Sequence, residues 1–127
     1  MTLRCVIVDD NPAVLRAASG LLEAQGMDVV GVAATSAEAL ALMAKLEPDV
    51  MLIDIDLGPE SGFELARRLA PTLDRARSCV ILVSTHDEVD YANLIAASPA
   101  VGFLPKSDLS ATAIRRVIAV ARGEGRY

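Results

Sequence analysis

The chain has 127 residues, 53% of them hydrophobic, the size and apolar content of one domain with a single packed core. Its formal net charge is -5 and no lysine or arginine cluster is interleaved with aromatics, which argues against nucleic acid or an acidic membrane as a direct partner. No stretch reaches the roughly 20 apolar residues that span a bilayer, and the N-terminus lacks a secretory pattern, so a cytoplasmic protein is expected.

Apolar runs alternate with helical patterns from end to end, the signature of a parallel α/β domain. The first predicted strand is Arg4 to Val8, and Asn11-Pro12 then supplies an N-cap and a proline at the first helical position. Val14, Leu15, Ala18, Leu21 and Leu22 form the inward stripe of that helix, which Gly26 ends. Asp28 to Ala33 reads as the second strand. Thr35-Ser36-Ala37-Glu38 reads as a capping box opening a helix with Leu40, Met43, Ala44 and Leu46 inward.

Pro48 breaks the chain before a third strand, Asp49 to Asp54, and Ser61-Gly62 precedes a third helix that runs to about Leu69. Pro71 to Ser78 is expected to be a polar loop. Cys79 to Ser84 is the fourth strand, Val89 to Ala97 the fourth helix and Val101 to Leu104 the fifth strand. Ser110 caps a last helix with Ile114, Val117, Ile118 and Ala121 inward and Arg115, Arg116 and Arg122 in water. Gly123 to Tyr127 is a tail or the start of a linker, so residues 1–127 are read as one domain. Cys5 and Cys79 open buried strands and are expected as core thiols rather than a disulfide.

Two of these strands end in acids, Asp9-Asp10 after the first and Asp54 after the third. In open α/β sheets the carboxyl ends of strands are where ligands bind. If the two strands are neighbours, three carboxylates converge, and like charges that close need compensation. A hard divalent cation supplies it, Mg²⁺ being the usual partner of one or two carboxylates, waters and phosphate oxygens. Lys106, just past the fifth strand, adds a positive charge, and Ser84, at the end of the fourth, adds a hydroxyl. Carboxylates, metal, hydroxyl and ammonium are what positioning and transferring a phosphoryl group require, with an aspartate as nucleophile.

Asp9-Asp10, Asp54, Ser84 and Lys106, in this order and each at a strand end, resemble the five marker positions of the response-regulator receiver domain of two-component signalling. The resemblance spans essentially the whole chain. It implies a doubly wound, flavodoxin-like (βα)5 fold with five parallel strands in the order 2-1-3-4-5. It also implies that Asp54 accepts a phosphoryl group from a sensor histidine kinase. Asp10 and Asp54 would bind Mg²⁺ directly, the main-chain carbonyl of Asp56 would be a third ligand, and Asp9 would act through water. Lys106 would bind the phosphoryl oxygen, Ser84 would turn toward it, and Phe103 would reorient with it. The surface of the fourth helix, fifth strand and fifth helix would then change, offering a contact for output or for a homodimer.

Asp56, Thr85 and His86 flank the site and, by the same resemblance, tune the lifetime of the aspartyl-phosphate, with Thr85 slowing the entry of donors. Gly58-Pro59 inverts the order common in receivers, and Pro105 precedes Lys106 while Ser107 follows it. Pro105 cannot donate to a ladder, so it belongs on an edge strand. The pattern looks most like receivers of transcription regulators, and two readings of the C-terminus stand beside each other: a stand-alone receiver ending at Tyr127, or a receiver followed by a DNA-binding output domain such as a helix-turn-helix. Such a protein catalyses only its own phosphorylation and hydrolysis. Two alternatives stand beside this reading. Asp54-Ile55-Asp56 resembles the D-x-D of haloacid-dehalogenase-type phosphohydrolases, although there the pair follows the first strand. The other is a receiver-like module that binds partners without phosphorylation.

Overall fold

The computed structural model describes residues 2–86 and 88–123; residues 124–127 of the expected tail lie outside the described residues. Among the described residues seven strands form in chain order: β1 (Arg4–Val8), β2 (Asp28–Ala33), β3 (Val50–Asp54), β4 (Asp56–Leu57), β5 (Glu60–Ser61), β6 (Cys79–Ser84) and β7 (Gly102–Pro105). The helices are α1 (Pro12–Ala24), α2 (Ser36–Leu46), α3 (Gly62–Ala76), α4 (Ala92–Ala97) and α5 (Ala111–Ala121). Five strands make one parallel sheet in the order β2-β1-β3-β6-β7. That is the expected 2-1-3-4-5 order, with β4 and β5 set apart as a two-residue hairpin that no hydrophobic run announced.

Strand residues alternate between two cores, as a period of two requires. Val6, Val8, Met51, Ile53, Val80 and Leu82 face α2, α3 and the flank of α4. Cys5, Ile7, Val50, Leu52, Ile81 and Val83 face α1 and α5. Covered on both sides, these strands read as continuous apolar runs. The free thiols of Cys5 and Cys79 sit on the second face. Burial pushes Cys5 up to about 12, with Cys79 adding to the effect, and pushes Cys79 up to about 11. Both remain neutral core groups at ordinary pH.

The helix starts follow their caps. Asn11 Oδ1 accepts from Ala13 N at 2.9 Å, Thr35 Oγ1 from Glu38 N at 3.2 Å and Ser110 Oγ from Ala113 N at 3.0 Å. Glu38 reaches back to Ala34 N at 2.7 Å, one residue before the cap. The buried stripes are narrower than expected: Leu15, Ala18 and Leu22 in α1, Ser36, Ala39 and Met43 in α2, Ala111, Ile114 and Ile118 in α5. Leu21, Ala44 and Ala121 are exposed, because a helix on a sheet buries the row in direct contact and leaves the flank in water.

Four boundaries correct the expectation, the smallest being the third strand, which starts at Val50 rather than Asp49. The third helix does not stop at Leu69 but runs through Pro71 to Ala76, so 71–76 is helix and not loop. Pro71 cannot donate to the carbonyl of Arg67. Leu73, however, continues the buried row Ala66-Leu69-Leu73, and that burial offsets much of the proline cost of roughly 3 kcal/mol. The fourth helix begins as a 3-10 turn, Glu88–Tyr91, and only Ala92–Ala97 is α-helical. The fifth strand starts at Gly102 and includes Pro105, which pairs with Ser84 on the outermost strand, where a proline is tolerated. Gly102 is required there, since a Cβ would sit 2.5 Å from Val117 Cγ1 of α5.

Candidate functional site

The chain leaves β1 toward β2 on one side and returns past it to β3 on the other, so the β1/β3 junction is where the winding reverses. A crevice opens at such a point beyond the strand carboxyl ends. Val8 pairs with Ile53 and Asp54 with Val83, which sets Asp9, Asp54 and Ser84 along one edge. Asp9, Asp54 and Ser84 are buried, whereas Asp10 is exposed.

Lys106, in the 3-10 turn Lys106–Asp108 after β7, reaches back across this edge. Its Nζ donates to Asp9 Oδ2 at 2.8 Å and to Asp54 Oδ2 at 3.0 Å. The second oxygen of each acid is held by main chain: Asp9 Oδ1 accepts from Asn11 N at 2.9 Å and Asp54 Oδ1 from Asp56 N at 3.1 Å. Burial raises the pKa of Asp54 and the Asp9 charge adds to this, against the opposing hydrogen bonds from Lys106 and Asp56. Burial alone would lower Lys106, but its bonds to Asp9 and Asp54 outweigh that and hold the ammonium charged. A buried carboxylate kept basic in this way is a better nucleophile than a solvated one.

Carboxylate oxygens of Asp9, Asp10 and Asp54 lie within 4.8 Å of one another. Three carboxylates against one ammonium leave a surplus of two negative charges, the charge of one Mg²⁺. Hard oxygen donors at this spacing fit that ion, whose octahedral ligands sit about 3–4 Å apart. The Asp56 side chain is exposed and outside the group, with Oδ1 accepting from Gly58 N at 3.3 Å. Gly58 has φ +71°, and a Cβ there would fall 2.9 Å from Asp10 Oδ2. The Gly58-Pro59 order therefore places a residue without a side chain where the loop passes the Asp10 carboxylate.

The other expected positions differ in what surrounds them. Ser84 Oγ accepts from His86 N at 3.0 Å and lies 3.4 Å from His86 Nδ1, so its hydrogen bonds are within its own loop. Phe103 is buried in the α3-side core, while Thr85 and His86 are exposed. Two features of the site carried no recognised signal in the sequence. Gly62 opens α3 so close to β3 that a Cβ would meet Asp54 O at 2.2 Å, and its N donates to Ile55 O at 2.8 Å. Tyr91 packs its ring against both His86 and Phe63. Ser61-Gly62 ahead of the third helix marked the place of the first but not its closeness to Asp54; nothing local announced the second.

The model of the response regulator receiver domain family matches residues 5–118. This chain belongs to that family. The receiver is 31% identical over 123 residues to the transcriptional regulatory protein YxjL of Bacillus subtilis, covering 96% of this chain and 56% of that protein. It is 37% identical over 98 residues to the DNA-binding transcriptional activator DevR/DosR of Mycobacterium tuberculosis, covering 76% and 45%. The chain thus spans about half the length of the curated relatives it matches. Among solved structures, the signal receiver domain of the putative response regulator NarL from Mycobacterium tuberculosis superposes with a TM-score of 0.81 at 28% identity, over 97% of this chain and 98% of that one. A receiver is the phosphoryl-accepting switch of two-component signalling and interacts with histidine kinases. No helix among the described residues is long and apolar enough to cross a membrane.

Proposed function

We propose that Asp54 is the phosphoryl acceptor of a two-component pathway, taking the group from the phosphohistidine of a sensor kinase in the cytoplasm. The observation that carries this is Lys106 Nζ bridging Asp9 Oδ2 and Asp54 Oδ2 within a group of three acids. A carboxylate oxygen of Asp54 attacks phosphorus, a P–O bond forms, the P–N bond to imidazole breaks, and the imidazole leaves with its electron pair and takes up a proton. Mg²⁺, held by Asp10 and Asp54, by the main-chain carbonyl of Asp56 and through water by Asp9, would neutralise charge on the transferred oxygens. Lys106 passes from Asp54 to a phosphoryl oxygen while keeping Asp9 as its second partner. Ser84 donates its hydroxyl to another. Asp56, Thr85 and His86 line the approach of the water that ends the signal.

The surface of α4, β7 and α5 is proposed to carry the response, to an output domain or to a second copy. Residues 123–127 would begin the linker to a DNA-binding output domain, in keeping with the names of the relatives. The phosphohydrolase alternative needs the Asp56 carboxyl beside Asp54, and the bond from Gly58 N holds that carboxylate on the exposed side instead. The test is incubation with acetyl phosphate and Mg²⁺ followed by intact mass. A single phosphoryl adduct on the wild type, absent in Asp54→Asn and after chelation, is expected; an unmodified wild type or a modified Asp54→Asn refutes the proposal.

A further inference from the structure

We infer that His86 and Tyr91 form a latch holding the Ser84 hydroxyl in its resting position, with Tyr91 a positioning residue that acts through His86. The inference rests on Asp54 being the acceptor and adds a part that no marker position covers. Ser84 is 3% exposed, and its oxygen accepts from His86 N at 3.0 Å while facing His86 Nδ1 at 3.4 Å. A serine hydroxyl has one proton to donate. With Nδ1 as acceptor that proton is engaged by the imidazole, so donating it to a phosphoryl oxygen on Asp54 requires Ser84 to leave His86.

An exposed histidine on a loop does not hold such an orientation alone, because rotamer freedom competes with one long hydrogen bond. Tyr91 supplies the restraint. Its ring meets His86 edge to face at 5.9 Å and 83°, and lies 6.0 Å from Phe63 at 48°. Phe63 is buried and follows Gly62, the residue pressed against Asp54 O. The contacts therefore run from the end of β6 through Ser84, His86, Tyr91 and Phe63 to the end of β3. Among the described residues Phe103 is in neither aromatic pair. Tyr91 also closes the 3-10 turn that leads into α4, a helix with no buried residue. Release of His86 by Ser84 thus loosens the start of α4 and carries the event at Asp54 to that surface.

His86 is the only histidine in the chain, so its ring signals in NMR are unambiguous. In metal-free protein they are expected away from free imidazole positions. They move toward them in Tyr91→Leu but not in Tyr91→Phe, and the Nδ1 signal shifts in Ser84→Ala. Ring signals that already match a free histidine in the wild type, or do not respond to Tyr91→Leu, overturn the latch. With acetyl phosphate and Mg²⁺, Tyr91→Leu and His86→Ala are each expected to speed adduct formation about two- to tenfold, the range of one aromatic contact. The double variant gains no more than either single change, and Tyr91→Phe keeps the wild-type rate. Independent, multiplying effects or unchanged rates also overturn it. A wild type that takes no adduct refutes the role of Asp54 instead, and the imidazole spectra still decide the latch.

Discussion

Helices α3 and α4 cover the same face of the sheet and both adjoin the site, yet they are held very differently. The α3 helix has 15 residues and buries Phe63, Leu65, Ala66, Leu69 and Leu73. The α4 helix has six residues and buries none, with Leu94 51% exposed and Val89, in the turn before it, 78% exposed. Tyr91 and Ile95, one helical turn apart, are the contacts of this segment with the core. The helix beside the end of β3 is thus anchored by apolar area, and among the described residues the segment beside Ser84 rests on two side chains. Elements that move in a switch come from the weakly held end of a structure. The difference puts more buried apolar area beside Asp54 than beside Ser84, as the proposed roles of acceptor and responding surface would require.

The largest test of that contrast is Leu69→Ala, expected to cost about 2–5 kcal/mol in chemical denaturation as a fully buried leucine leaves a cavity. A loss below about 1 kcal/mol would show that α3 is not the anchor. Next is Mg²⁺, which would tie β1 to β3 through Asp10 and Asp54. At a hundredfold excess over its Kd it should stabilise the fold by about 2.7 kcal/mol, and Asp10→Asn should reduce that gain. Hydrogen exchange should slow in α3 more than in α4 on addition of the ion; equal slowing would break the contrast.

A smaller effect tests the opposite face, which neither helix touches. Cys5 is raised from 9.0 to about 12, chiefly by burial, so above pH 9 the unfolded chain releases a proton that the folded chain keeps. Its contribution to stability is intact below pH 9 and is lost as pH rises toward about 12. The slope is up to ~1.4 kcal/mol per pH unit. Cys5→Ala should flatten the alkaline limb of a stability profile. The smallest effect is Leu94→Ala, expected to stay within about 0.5 kcal/mol of wild type. A change as large as that of Leu69→Ala would mean that α4 is anchored after all.

Much of the frame was legible locally. The runs Arg4 to Val8, Asp28 to Ala33 and Cys79 to Ser84 form strands with those bounds; the first and last carry unbroken apolar runs, Cys5 to Val8 and Cys79 to Val83, that serve a sheet covered on both faces, while the second, interrupted by Gly31, lies at the sheet edge. The caps at Asn11, Thr35 and Ser110 were readable because capping is a contact over two or three residues. The gathering of Asp9, Asp10 and Asp54 followed from strand ends and sheet order. The helical turn at Pro71 was not legible, since its proline argues for a loop and only the burial of Leu73 argues against one. Nor was the split of the fourth helix, where the apolar residues were visible but not how few of them would find a partner.

By itself the sequence determined the alternation of strands and helices, the acids that end β1 and β3, and the family to which these belong. These depend on periodicity and on neighbours a few residues away. Only the tertiary structure decided that Lys106 would bridge Asp9 and Asp54, residues 97 and 52 positions away along the chain. It also decided that Tyr91 would meet both His86 and Phe63, and that α3 would be held more firmly than α4. Such contacts are settled by which distant surfaces exclude water together, and no local pattern encodes that competition.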